Sequence, residues 1–169
     1  MLGSSELRAG FSSNESDSPM YTCENIVSRF RDRKRSANMV LCGTDCYADA
    51  QSRGNIKSPF DGNVVCGFDT MEYMLDNTFS KLGIDTDRVD HPLLLTEPLC
   101  NPEYSRGQMN ELLFEAYQVQ SVNYGLDALF SAYANNVRDN GLVVSAGRTT
   151  TAIVPLVQGR GYLDNTKRH

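Results

Sequence analysis

Residues 91–102 read His91-Pro-Leu-Leu-Leu-Thr-Glu-Pro-Leu-Cys-Asn-Pro. Within them, 91–97 hold a short, continuous apolar run, the pattern of a strand buried on both faces. Leu94 is therefore expected in the core. Upstream, Met71, Met74, Leu75, Phe79 and Leu82 recur at helical spacing and predict a helix over about 69–82. Asp69 is the expected cap, Glu72 its capping-box partner and Gly83 the stop, because glycine takes positive φ at little cost. Downstream, a second helix is predicted over 105–117, with Ser105 as cap, Gln108 as box partner and Met109, Leu112, Leu113, Ala116 and Tyr117 facing inward. Phe114 is also expected to be buried, and replacing it or Leu94 with Ala should then cost roughly 2–5 kcal/mol. A third helix is predicted over 122–133 on Val122, Leu126, Leu129, Phe130 and Tyr133. Gly141 then opens a strand at Leu142–Ser145, followed by a turn at Ala146–Thr149 and a strand at Ala152–Val157. Helices alternating with strands around a buried run indicate an α/β layered fold.

Toward the N-terminus, 12–19 (SSNESDSP) form a polar turn between strand candidates Leu7–Phe11 and Met20–Val27. Residues 31–58 lack periodicity and read as loops or a small appended lobe. The tail GYLDNTKRH is polar and shows no sign of a further strand. With 169 residues, 40% hydrophobic and 22% charged, the chain fits one ordinary domain. It has no run near the ~18 apolar residues of a membrane helix. The start lacks a signal-peptide pattern, so the chain is expected on the nucleocytoplasmic side.

The five cysteines, Cys23, Cys42, Cys46, Cys66 and Cys100, are odd in number and unpatterned, which favours free thiols over a disulfide framework. Cys42 and Cys46 stand four apart, but only His91 and His169 offer nitrogen ligands, so small buried or loop thiols are preferred over zinc. The net charge of −5 argues against a chain-wide nucleic-acid footprint. One basic cluster departs from it: Arg29, Arg31, Arg33, Lys34 and Arg35. It is expected on an exposed outer loop, either merely solvated or in contact with DNA phosphate or an acidic partner.

Several of these segments, in order, resemble the actin family. His91–Pro102 looks like its "HPxLLTE…NP" strand and loop, and Met109-Asn-Glu-Leu-Leu-Phe-Glu-Ala-Tyr like its "MxxxxFExF" helix. Lys57–Val65 and Asp69-Thr-Met-Glu look like its passage from subdomain 2 into the first helix, and Gly43–Gly54 like the outer loop of subdomain 2. The resemblance implies a ribonuclease H-like mixed sheet with packed helices. Residues 1–30 and 59–169 would form part of subdomain 1 and 31–58 a subdomain 2-like insertion. The second domain, which grips base and ribose, is not expected within this chain. SPFDGNVV at 58–65, NPEYSR at 101–106, ELLFE at 111–115 and YGLDALFSAY at 124–133 resemble one nuclear branch of the actin-related proteins. That branch implies a nuclear, non-motor subunit of the inositol-requiring class of ATP-dependent chromatin remodeller. Its implied partners are other remodeller subunits and nucleosomal DNA, with no membrane.

Actin-like proteins hold ATP and a divalent cation with two phosphate hairpins and nearby carboxylates. By resemblance the first hairpin is 3–11, where Gly3 and Ser4 keep the small residues and Arg8 replaces a lysine. The second is 145–151, including Gly147 and Thr149. The family's aspartates fall on Met1, Ser145 and Arg148, and its water-orienting glutamine falls on Asp127. Hard cations need oxygen ligands, usually carboxylates. No catalytic or metal-binding residue is therefore expected, nor any resident cofactor. Two readings stay open for Gly3, Ser4, Arg8, Gly147 and Thr149: weak ATP binding, or turns that only connect strands. Further alternatives are a slowly hydrolysing actin-like ATPase and a cytoskeletal, filament-forming relative.

Overall fold

A computed structural model describes residues 1–16, 18–32, 36–84 and 86–168. In chain order the elements are β1 (Glu6–Ala9), β2 (Tyr21–Glu24), β3 (Val27–Asp32), β4 (Ala37–Cys42), α1 (Ala50–Arg53), β5 (Ile56–Lys57), β6 (Phe60–Asp61) and β7 (Val64–Val65). Then come α2 (Phe68–Lys81), β8 (Leu93–Glu97), α3 (Glu103–Glu111), β9 (Val122–Leu126) and α4 (Asp127–Ala134). The last four are β10 (Gly141–Ala146), β11 (Thr151–Val157), β12 (Arg160–Gly161) and β13 (Lys167–Arg168). The strands form small sheets: β1–β2, β4–β3–β5, β6–β7, the parallel pair β8–β9, and β10–β11 with β12 and β13 added to β11. No helix among the described residues is long and apolar enough to cross a membrane.

The core forms around α2, whose stripe Met71, Met74, Leu75 and Phe79 is buried as its spacing predicts. Met109, Leu113, Tyr117 and Val119 pack against it, together with Val27, Val65 and Val89. The Tyr117 ring meets Phe79 edge-on at 5.1 Å, and its hydroxyl donates to the Asp76 carboxylate at 2.8 Å. Gly83 ends the helix with φ +74°, as expected.

Both predicted caps move. The N-cap of α2 is Gly67, because Pro59 O accepts from the backbone N–H groups of Cys66 and Gly67 and anchors the entry earlier. Asp69 lies inside the first turn, where a carboxylate complements the helix dipole. Likewise α3 starts after Pro102, and Ser105 is buried within it, donating to Val65 O at 2.9 Å. Leu112–Ala116 form a π turn that shifts the helix phase. It keeps Leu113 and Tyr117 inward but leaves Ala116 exposed and Phe114 45% exposed, contrary to expectation.

Leu94 is 61% exposed, because β8 meets the core only through Leu93 and Leu95. It lines an apolar trough of about 650 Å³ between β1 and β8, with Leu7, Phe11, Phe79 and Ile84. Residues 122–126 are strand, not helix, paired in parallel with Leu93–Glu97. Gly125 belongs there for a packing reason: a Cβ on it would stand 2.4 Å from the Phe130 ring. The described residues of 31–58 form β4, α1, β5 and the end of β3, which begins at Val27, so the boundary placed after residue 30 falls within β3. The polar tail also contributes strands, β12 and β13.

Candidate functional site

Two turns of the same construction face each other across a small cleft. In the first, Gly3 N–H donates to Glu6 O at 3.0 Å, with Ser4 and Ser5 at the tip. In the second, Gly147 N–H donates to Thr150 O at 2.9 Å, with Arg148 and Thr149 at the tip. A Cβ at Gly3 or Gly147 would crowd the closing carbonyl, at 3.1 and 3.0 Å respectively. The tips touch, with Ser4 Oγ and Thr149 Oγ1 3.2 Å apart. Buried Asn25 props the first turn, its side-chain amide donating to Gly3 O and its backbone N–H to Ser5 O. Strands β10 and β11, in register from Gly141↔Leu156 to Ala146↔Thr151, hold the second.

The cleft encloses about 210 Å³ and is lined by Gly3, Ser4, Arg8, Ser145, Gly147 and Arg148, among others. That is small beside the ~300–1,000 Å³ of pockets enclosing drug-sized ligands. The structure thus brings together, within or beside one cleft, the five positions named from sequence: Gly3, Ser4, Arg8, Gly147 and Thr149. Arg8 is the least free of them, since its guanidinium pairs with Glu6 at 2.9 Å. The backbone N–H groups of Ser4, Ser5, Arg148 and Thr149 have no hydrogen-bond partner among the described residues.

Of the far wall, only Asp127 was expected, through the resemblance; Thr96 and Glu97 were not. Parallel strands β8 and β9 both end at the cleft, placing Thr96, Glu97 and Asp127 in its lining. The outer carboxyl ends of parallel strands are a recurrent ligand position. A Thr-Glu pair closing the 93–97 strand was the available signal. Thr96 Oγ1 accepts from Leu2 N–H at 2.8 Å. Arg106 grips both oxygens of Glu97, which holds the guanidinium above its ordinary pKa, chiefly through that hydrogen bond. Asn63 also lines the cleft, with its Oδ1 buried and unpartnered.

The divalent cation of an actin-like site does not fit these residues. Ser145 and Arg148, the positions at which the resemblance to the actin family would put aspartates, bring a hydroxyl and a guanidinium to the cleft in place of carboxylates. The remaining carboxylates are engaged: Glu6 by Arg8, Glu97 by Arg106, and Asp127 Oδ1 by Ala128 N–H at 2.7 Å. No group of three or more His, Cys, Asp or Glu suited to a metal occurs among the described residues. Burial pushes Cys23, Cys42 and Cys46 upward, Cys42 to about 12, so they stay protonated.

Two residues of the basic cluster, Arg29 and Arg31, lie on a strand and not on the expected loop. Arg29 and Arg31 are exposed residues of β3, two apart and thus on one face, with Arg29 5.3 Å from the Tyr73 ring. Arg33, Lys34 and Arg35 lie outside the described residues.

Residues 2–167 match the actin family. The chain belongs to the actin family. Its relatives include Actin-like protein arp5 of Schizosaccharomyces pombe, 46% identical over 98% of this chain and 23% of the relative. Actin-related protein 5 of Saccharomyces cerevisiae is 40% identical over 99% of the chain and 22% of the relative. The Homo sapiens protein of the same name is 38% identical over 98% and 28%. The chain therefore spans about a quarter of the length of these relatives, all drawn from the branch that its sequence features resemble. It is an actin-related protein chain with a partial actin-like fold.

Proposed function

We propose that this chain is a non-catalytic actin-related module, acting as an interaction subunit of a nuclear ATP-dependent chromatin remodeller whose motor is another chain. Remodelling, transcription regulation and DNA repair are the processes this assignment implies. The observation that carries the non-catalytic part is the cleft itself. Ser145 and Arg148 line it where an actin-like ATPase needs carboxylates, and Glu97 is committed to Arg106. Without oxygen ligands to hold a hard cation and its water, the hydrolytic step has neither nucleophile activation nor charge neutralisation. The remodeller assignment rests on the resemblance to actin-related protein 5. The test is to incubate the tagged chain with nuclear extract and identify what it retains. Recovery of a remodeller motor with its other subunits supports the assignment, and recovery of cytoskeletal actin or nothing refutes it.

A second reading has its own support. The touching tips at Ser4 and Thr149, with four unpaired backbone N–H groups around them, favour retained phosphate binding without hydrolysis.

A further inference from the structure

We infer that the cleft between the two turns binds the polyphosphate tail of a nucleotide without a divalent metal, with Arg148 as the resident cation that stands in for it. The inference rests on the phosphate-binding reading above and specifies its charge balance. Four observations carry it. First, Arg148 lines the cleft and makes no ion pair with a carboxylate among the described residues. Second, the N–H groups of Ser4, Ser5, Arg148 and Thr149 are unpaired on two turn tips that meet at 3.2 Å. Third, each turn opens on a glycine whose Cβ would crowd the closing carbonyl, so both backbones hold a tight form. Fourth, every carboxylate in the cleft is already held by a donor of this chain.

These features fit an anion and reject a metal. A guanidinium presents a planar fork that matches phosphate oxygens two at a time. Backbone N–H groups around a turn add fixed partial positive charge. A divalent ion entering with the phosphates would meet carboxylates that already accept from Arg8, Arg106 and the Ala128 N–H, and would face Arg148 at close range. It would also neutralise the very charge that Arg148 attracts. Metal is therefore expected to compete with the protein for the phosphates. That inverts the dependence of a carboxylate-lined site, where removing metal abolishes binding.

The experiment measures binding of inorganic tripolyphosphate, ATP and ADP to the 169-residue chain by calorimetry, once in EDTA and once in excess magnesium. Tripolyphosphate reports the phosphate cradle alone, and the two nucleotides report whether base and ribose add to it. Affinity in EDTA equal to or tighter than in magnesium supports the inference. Arg148→Ala should weaken binding in EDTA roughly tenfold or more, the worth of one charge-assisted contact. Because Arg148 is an exposed turn residue, its melting curve should match the parent and separate lost binding from lost fold. In Ser145→Asp/Arg148→Asp, binding should vanish in EDTA and return with magnesium. Parent binding seen only with magnesium, or full affinity of Arg148→Ala in EDTA, overturns the inference while leaving the phosphate reading intact. Absence of binding by all three probes in both buffers overturns both.

Discussion

Adjacent residues Leu113 and Phe114 should respond very differently to truncation. Leu113 is fully buried in the α2–α3 core, whereas Phe114 is 45% exposed because the Leu112–Ala116 π turn directs it outward. Leu113→Ala removes three buried carbons, about 2.4 kcal/mol at ~0.8 per group, before any cavity is counted. With the cavity the loss should reach roughly 3–5 kcal/mol. Phe114→Ala forfeits only about half of a side-chain transfer energy of ~1.5–3 kcal/mol, so about 1 kcal/mol. At ~2–4 °C per kcal/mol for a chain of this size, the melting temperatures should drop by roughly 10 °C and by ~3 °C. Urea unfolding followed by circular dichroism, with slopes compared to confirm an unchanged transition, measures both. Equal losses, or a larger loss at Phe114, would refute the π-turn register and the packing built on it.

Thiol reactivity offers a second check. A neutral alkylating reagent at pH 8 should label exposed Cys66 and Cys100 quickly and leave Cys23, Cys42 and Cys46 until the chain unfolds. Because burial raises the Cys42 pKa from 9.0 to about 12, its contribution is intact below 9 and is lost as pH climbs toward 12. Melts of the parent and Cys42→Ala should therefore converge in alkali, and parallel curves would contradict this. The basic stretch beginning on β3 should give sequence-independent DNA binding of about 10⁻⁴–10⁻⁶ M that weakens steeply with salt. Replacing Arg31, Arg33, Lys34 and Arg35 with Ala should flatten the salt slope, and an unchanged slope would make the cluster a solvated surface only.

The elements legible in sequence were those set by local periodicity. The α2 stripe is buried as its spacing requires, and the hairpin β10–β11 lies within a residue or two of its expected place. Errors arose where distant contacts decide. The cap at Gly67 depends on Pro59, and the inward turn of Ser105 on Val65, neither of which a helical pattern can reveal. Val122 and Leu126 are four apart, a spacing that suits a helix, but pairing with β8 makes the segment a strand. Leu94 lies in an unbroken apolar run, yet alternation along β8 turns it away from the core. The two turns of the cleft were legible as motifs with small residues at fixed places. Asp127 was placed beside them by resemblance, but their convergence with Thr96 and Glu97 was not legible, because it follows from two parallel strands ending side by side.

Steady-state phosphate release from ATP by the purified chain decides whether the cleft is non-hydrolytic, as proposed. The assay compares magnesium with EDTA and the parent with Asp127→Asn, since Asp127 is the cleft carboxylate that stands where a water-orienting group is expected. The predicted result is no magnesium-dependent release above the protein-free background, in parent and variant alike. Magnesium-dependent turnover by the parent that disappears in Asp127→Asn would contradict the account, because it would make Asp127 a working base in a metal-competent site.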